Sequence, residues 1–514
     1  MYLGNETCLF VINRAKHPHH MKIRLLFLFL IAAATVQFTL AQTQKNKPVI
    51  TNYSFKFKVG GLKDVDVFLG FHYGEKKFIK DTAHVNSNGE VEFTGKDTLL
   101  GGIYLFITPR KNYFEFVVNE TKIQMETDTL DMVGHMVVKK STENTVWYDY
   151  MKTIAAKQKE MQPYNEIINK TDIDKEGKEY KDAVAAKDKI ALSIDKYRDD
   201  KIKQNPDLFV SKVFQSMKDI DLPEAPKGDS TFLPRYYRTH FWDNVDLADG
   251  RLVRTPILES KLVYFFDKVV YQIPDSIIAE ADKILAKASP DAEMFKFICH
   301  HLTYTYERSQ IMCMDAVFVH LIDTYYRTGK TPWVDQKTMS NMLERADKLK
   351  PLLCNTVVNN ITLPDTSGNW HSLYSVTGEY TVLYFWDATC SHCKKATPVL
   401  VELYHSYLKP NGIEVFGVEG ELEDKEWKKY TKDQNLPWIN VSDNPEINAH
   451  PEKYILEQKV TDLNSLNFRH IFDLYSYPVI YILDKDHHII AKKLGVEQIQ
   501  DFLEKYKRSK GKTN

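Results

Sequence analysis

Two cysteines, Cys390 and Cys393, are separated by Ser391 and His392 in the stretch TVLYFWDATCSHCKKATPVL, residues 381–400. An apolar, strand-like run leads into the pair and a helix-forming run follows it. At such a junction the Cys390 sulfur faces the unpaired N–H groups of the first helical turn, whose dipoles favour a thiolate. A thiolate there attacks a disulfide. Cys393, three residues on and on the same helical face, can then resolve the mixed disulfide by intramolecular attack. His392 can donate a hydrogen bond or positive charge to that thiolate and so stabilise the reduced form, with Lys394 and Lys395 adding to the field. Two other uses of the pair compete. A zinc site needs two more ligands at comparable spacing, and no second CxxC or HxxxH motif is present. A structural disulfide closing so short a loop removes little chain entropy, which favours a chemical use.

The elements that must position these sulfurs follow from the hydrophobic pattern. TVLYFW reads as a strand, Cys393 to about Leu408 as a helix and IEVFGVEG as a second strand. DKEWKKYTKDQ reads as a helix, PVIYILD and HIIAKKLG as a hairpin, and Val496 to Lys507 as a closing helix. A parallel strand pair joined by a helical crossover and completed by a hairpin is a compact α/β layout, which binds or reacts at the carboxyl ends of its strands. Tyr477-Pro478 stands at the start of a central strand, where a cis turn would expose backbone beside the cysteines; an ordinary proline at a strand start is the competing reading. Asp387 is the nearest candidate for a proton acceptor, and a solvated loop carboxylate describes it equally well.

With these motifs in view, residues 355–507 resemble the thioredoxin superfamily, and within it the TlpA/ResA-like exported thiol-disulfide oxidoreductases of Bacteroidetes-type bacteria. ITLPDTSGNWHSL is similar to the family's opening strand and turn, YFWDATCSHCKKATP to its active site, and YSYPVIYILDKDHHIIAKKLGVEQIQDFL to its cis-proline, hairpin and last helix. The resemblance implies that Cys390 is the exposed nucleophile and Cys393 the buried resolving thiol. It also implies Trp386 as an aromatic wall, Pro398 as a helix kink, and Pro478 as a cis-proline opposite the sulfurs, with Tyr477 and Pro478 meeting substrate. No bound cofactor is implied; the partners are protein disulfides or dithiols and a redox partner. Two positions depart from the pattern. Thr389 stands where the family often has tryptophan, and Tyr384 stands where thioredoxins bury an acid, which puts the usual proton relay in doubt.

The rest of the chain is read more coarsely. At 514 residues it exceeds one ordinary hydrophobic core, so several domains are expected. A formal net charge of -1 gives no basic surface for nucleic acid. Met21-Lys22-Ile23-Arg24, the apolar run Leu25 to Phe38 and the small-residue site at Ala41 read as a secretory signal within residues 1–41, with no stable membrane span after cleavage. Export to the periplasm or cell envelope is the expectation. Residues 50–140 alternate with period two and read as an antiparallel, all-β sandwich, with Asn88-Gly89 as a hairpin turn. Residues 142–352 read as an all-α domain, and residues 355–507 as the thioredoxin-like α/β domain of a multidomain chain. The sandwich and helical segments resemble domains of unknown function found beside such thioredoxin modules.

Five cysteines outside the first residues are an odd, sparse set for a disulfide framework; Cys354, at the entrance to the last domain, reads most simply as a small buried hydrophobe, with oxidation to another thiol as the alternative. Cys299-His300-His301 with Cys313 invites a metal, but the spacing fits no standard site, so no metal is assigned. Two functional alternatives stay open: a peroxidase of the AhpC/TSA kind, which needs a threonine where Asp387 stands, and an envelope binding or assembly protein with an accessory thioredoxin module.

Overall fold

The computed structural model describes residues 50–510. The secretory segment expected at residues 1–41 lies outside the described residues. One compact unit ends at Phe214 and a second begins at Gln215, so the division falls inside the helical stretch.

In the first unit, strands β1 (Tyr53–Gly60), β2 (Val65–Tyr73), β3 (Lys76–Val85), β4 (Glu90–Gly95), β5 (Gly102–Ile107), β6 (Tyr113–Val118), β7 (Lys122–Asp128) and β8 (Val137–Lys140) form two four-stranded sheets. Their orders are β4-β1-β7-β8 and β3-β2-β5-β6. The period-two pattern buries Phe55, Phe57 and Val59 from β1. The Phe57 ring lies 5.1 Å from both Phe106 and Phe116, so edge-to-face aromatic contacts fill the core.

Two expectations for this sandwich need correction. It is not wholly antiparallel, because β1 pairs with β7 in parallel register, Phe55 opposite Ile123. Asn88-Gly89 turns the chain but makes no two-stranded hairpin, since β3 pairs with β2 whereas β4 pairs with β1. Gly89 adopts φ +80°, and a Cβ there would stand 2.8 Å from the Val59 carbonyl oxygen. The local turn chemistry holds; the sheet each strand joins is decided by nonlocal packing.

Helices α1 (Thr142–Ile168), α2 (Lys178–Gln204) and α3 (Phe209–Ser216) follow. Asn144, fully buried at the start of α1, accepts from the Val117 N–H and donates to the Val117 carbonyl, both at 2.8 Å. Glu143 beside it accepts from the Phe209 and Val210 N–H groups at the start of α3. These bonds satisfy backbone groups at a strand edge and a helix terminus that would otherwise be buried unpaired.

The second unit begins with α4 (Phe232–His240), α5 (Ile257–Tyr264), α6 (Pro274–Ala288), α7 (Ala292–Glu307), α8 (Asp315–Leu321) and α9 (Gln336–Leu349). Ile277, Ala281, Ile284 and Leu285 form the buried stripe of α6, as their helical spacing requires. Cys313 stands in the left-handed region, φ 68°, and α8 starts only after it. Cys313 is bonded to Cys354, which corrects the reading of Cys354 as a simple buried hydrophobe. Among the described residues no helix is long and apolar enough to cross a membrane.

The rest of this unit contains β9 (Thr362–Pro364), β10 (Trp370–Ser372), β11 (Tyr380–Trp386), α10 (Ser391–Leu403), β12 (Ile413–Glu419) and α11 (Asp424–Asp433). It ends with β13 (Ile439–Val441), β14 (Val479–Asp484), β15 (Ile489–Lys492) and α12 (Ile499–Lys510). Five strands make one sheet in the order β13-β12-β11-β14-β15. β11 runs parallel to β12 and antiparallel to β14, and all seven of its residues are buried. That continuous apolar run belongs to a central strand covered on both faces. Val382, Tyr384 and Trp386 enter the core on one face, while Leu383 and Phe385 enter the core on the other. The architecture is a β-sheet region, a helical middle and a thioredoxin-like α/β domain.

Candidate active site

β11 delivers the chain to the carboxyl edge of the sheet, and the Cys390 N–H closes a turn on the Asp387 carbonyl. Cys390 is the N-cap of α10, with extended φ −66° and ψ 127°, and its carbonyl accepts the Lys394 N–H at 3.0 Å. The residue is partly exposed, and its sulfur donates to the Tyr477 carbonyl oxygen at 3.6 Å. The Tyr477-Pro478 peptide is cis. Cys393, one turn into α10, is 1% exposed. Burial pushes the Cys393 thiol up to about 12; the Asp387 N–H beside the sulfur works against the rise and nearby Cys390 adds to it. Both thiols are free in this structure.

The other sequence-predicted residues fall into place unevenly. Asp387 shapes the loop: its Oδ1 accepts from the Thr389 N–H at 2.7 Å and the Thr389 hydroxyl at 2.8 Å, an Asx turn. Trp386 is fully buried, 5.4 Å from the Tyr430 ring and stacked with Tyr384, so it packs as core. Tyr384 donates to or accepts from Thr397 at 2.9 Å, which satisfies its buried hydroxyl without an acid. His392 is exposed on the first turn of α10, and Pro398 lies within that helix.

Four residues that sequence reasoning missed hold the loop against the sulfurs. Gly420, just after β12, donates its N–H to the Trp386 carbonyl at 2.7 Å, and its own carbonyl accepts from Tyr477 Oη at 3.0 Å. A Cβ at Gly420 would land within the Tyr477 ring, so only glycine lets that ring lie there. Arg469 donates to the same carbonyl and forms a bidentate pair with the fully buried Asp443, at 2.6 and 2.7 Å. Glu419, last in β12 and paired in register with Trp386, is 0% exposed. Ser442 donates to its Oε2 at 3.3 Å, and its buried Oε1 has no partner. Burial pushes Glu419 up to about 8, against the pull of the Glu421 N–H and with the charge of Asp387 adding to the rise. An acid at the last position of a mostly apolar, buried strand, IEVFGVE, was the sequence signal for it.

The metal guess at Cys299, His300, His301 and Cys313 has no geometric basis. Cys313 is in the disulfide, Cys299 is a buried thiol pushed up to about 11 chiefly by burial, and His301 faces Glu259 at 3.3 Å. Among the described residues no group of three or more His, Cys, Asp or Glu side chains could hold a metal ion.

A strand-to-helix cysteine pair opposite a cis-proline, on a sheet of this order, defines a thioredoxin-like thiol-disulfide oxidoreductase. Residues 355–492 match the AhpC/TSA family, residues 53–147 a domain of unknown function designated DUF4369, and residues 196–349 another designated DUF5106. The C-terminal domain is thus of the thioredoxin-like, thiol-disulfide oxidoreductase kind. Solved structures that it resembles include a thioredoxin-like protein from Bacteroides caccae, 20% identical over 56% of this chain and 98% of that one, TM-score 0.40. Another is a domain of a possible thiol-disulfide isomerase from Cytophaga hutchinsonii, 35% identical over 32% of this chain and 99% of that one, TM-score 0.26. A third is the thioredoxin domain of a thiol-disulfide oxidoreductase from Bacteroides vulgatus, 25% identical over 30% and 96%, TM-score 0.25. No curated protein matches the sequence.

Proposed function

We propose that this protein is an exported oxidoreductase that exchanges disulfides with protein substrates through Cys390 and Cys393. The observation that carries the reading is the asymmetry of the pair: Cys390 is partly exposed and its sulfur faces the Tyr477 carbonyl, whereas Cys393 is buried. In the reducing direction the Cys390 thiolate attacks one sulfur of a substrate disulfide. The Cys390–substrate bond forms, the substrate S–S bond breaks, and the other substrate sulfur leaves as a thiolate that takes a proton. Cys393 then loses its proton and attacks Cys390 Sγ, releasing the second substrate thiol. Two electrons have passed to the substrate and the enzyme is left as the Cys390–Cys393 disulfide. The oxidising direction reverses these steps.

Cys393 is the costly deprotonation, because its burial opposes the thiolate. Glu419, buried at the end of β12 in register with Trp386, is the group at this edge of the sheet whose protonation changes near working pH. A carboxyl pushed up to about 8 exchanges its proton near working pH, where an exposed carboxylate would already be ionised. Action outside the cytoplasm is supported by the leader-like segment of residues 21–41 and by the Cys313–Cys354 disulfide, a bond that persists in oxidising compartments.

The test is reduction of a model protein disulfide by the dithiol form of the full chain. Turnover lost in Cys390→Ser supports the reading; binding of the substrate without any exchange would favour the scaffold alternative. Rapid consumption of hydrogen peroxide with no disulfide exchange would favour a peroxidase, against which stands Asp387 in the threonine position.

A further inference from the structure

The contacts described above hold the segment before Pro478 at its Tyr477 end, through Gly420 and Arg469 of the thioredoxin-like domain. The other end of that segment is Asp473, and the contact there comes from the helical segment. Arg345 Nη1, on α9, lies 2.6 Å from Asp473 Oδ2. Tyr475 and Ser476, between the two ends, are exposed.

Asp473 is a fixed point in the chain. Its φ is 53°, in the left-handed region that aspartate and asparagine enter more readily than other side chains. Phe472 before it is buried 4.8 Å from the Phe385 ring, and its carbonyl accepts from the Tyr481 hydroxyl at 3.2 Å. Leu474 after it donates its N–H to the Arg469 carbonyl at 2.9 Å. The Asp473 side chain is only 9% exposed, so its pair with Arg345 is screened less than a surface ion pair.

The helix that carries Arg345 is anchored as well. Asp335 caps α9 by accepting from the Thr338 N–H at 3.0 Å, and Ala346 and Leu349 are buried. Just beyond the helix, Leu352 enters the same core as Phe385, Phe472 and Tyr481. Lys492 of β15, itself buried, pairs with Asp315 and donates to the Leu352 carbonyl. Arg345 therefore meets Asp473 from a helix bonded to the sheet.

We propose that Arg345 is a positioning residue for the redox pair: by holding Asp473 it sets the path of the chain into Pro478, and with it the Tyr477 carbonyl that accepts from Cys390. The inference rests on the disulfide-exchange reading above. It gives the helical segment a part in the chemistry through the backbone that it holds. The expected effect has a definite sign. The S–H donor exists only in the dithiol form, because oxidation replaces it with the Cys390–Cys393 bond. A well-placed carbonyl therefore favours the dithiol, and a displaced one favours the disulfide.

The test is the equilibrium of the full chain with glutathione and glutathione disulfide. Glutathione disulfide takes two electrons from the dithiol, which leaves the Cys390–Cys393 disulfide and two glutathione thiols. The oxidised fraction is read by mass spectrometry after acid quenching and alkylation. Arg345→Met should move the equilibrium about threefold or more toward the enzyme disulfide, the scale of one weak hydrogen bond, with near-ultraviolet circular dichroism unchanged. Removing a cation alone also favours the disulfide, by destabilising a thiolate. The double variant Arg345→Met/Asp473→Asn alters no net charge and should show the same shift. It also decides the matter if Arg345→Met fails to fold with Asp473 unpaired, since replacing both partners of a shielded pair is often close to neutral for stability. Arg345→Lys keeps the charge for a single contact and should stay at the wild-type ratio. A folded double variant at the wild-type ratio, or moved toward the dithiol, overturns the positioning role while leaving disulfide exchange intact. Wild-type protein that forms no disulfide with glutathione disulfide overturns the exchange reading itself, and the positioning role with it.

Discussion

Cys390 Sγ lies 3.6 Å from the carbonyl oxygen of Tyr477, the residue whose peptide bond to Pro478 is cis. The two come from segments 87 residues apart, and the contact sets the partly exposed cysteine of the pair against the cis peptide. Cys393→Ala is expected to accumulate substrates as mixed disulfides on Cys390, because attack remains and resolution is lost. Cys390→Ala is expected to trap few. Non-reducing electrophoresis and mass spectrometry of the captured adducts read the outcome, and equal capture by the two variants would reverse the assignment of nucleophile and resolver.

The position of that carbonyl depends on Gly420. Its missing side chain leaves the space that the Tyr477 ring occupies, and its carbonyl accepts from the Tyr477 hydroxyl at 3.0 Å. Gly420→Ala forces the ring to move and should slow disulfide exchange at least about tenfold, through a displacement near 1 Å of the kind that is costly in a reacting site. Tyr477→Phe removes only the hydrogen bond and should cost about 1 kcal/mol of stability, with a smaller loss of rate. Stopped-flow oxidation of the two variants gives the ordering; a Gly420→Ala protein as fast as wild type would show that the loop is held by other contacts.

The Cys313–Cys354 bond closes a loop of 41 residues between the helical segment and the approach to β9. In the chain-entropy description a loop of this size contributes about 4 kcal/mol by restricting the unfolded chain. The double variant Cys313→Ala/Cys354→Ala should lose stability on that order in denaturant unfolding, while Cys390 and Cys393 keep their reactivity toward glutathione disulfide. Using the double variant leaves the active dithiol untouched by reductant. A midpoint equal to that of wild type would show that the unfolded chain is restricted by something other than the disulfide.

How far the site was legible in the sequence follows from how local each feature is. Cys390 and Cys393, the strand before them and the helix after them occupy one continuous stretch, so spacing and hydrophobic pattern were enough. The Tyr477 contact needed the resemblance to the thioredoxin superfamily, because nothing in YSYPVIY says which sulfur it will face. Glu419, Gly420, Asp443 and Arg469 converge from three segments, and each alone reads as an ordinary strand-end, turn or surface residue. The Cys313–Cys354 pairing has no diagnostic spacing either. In the sandwich, Asn88-Gly89 announced a turn, but whether β4 would pair with β3 or with β1 depended on packing that no short window contains.

Glu419 offers a prediction whose sign can be followed through linkage. Its carboxyl is pushed up to about 8 in the folded protein, against an ordinary value of 4.5. Below the ordinary value the group is protonated in both the folded and unfolded chain and contributes no pH dependence. Between the two values the folded protein holds a proton that the unfolded chain has lost, so stability falls as pH rises. Above the folded value both states are ionised, and the full penalty of a buried carboxylate is present. A shift of this size corresponds to a penalty of several kcal/mol, at about 1.4 kcal/mol per pH unit across the window. Glu419→Gln keeps the shape and remains neutral at every pH. It should therefore match wild type near pH 5 and be more stable by several kcal/mol near pH 8, as measured by denaturant midpoints across that range. A variant with the wild-type pH profile of stability would show that Glu419 is ionised in the folded protein, and with it the proton-holding role falls.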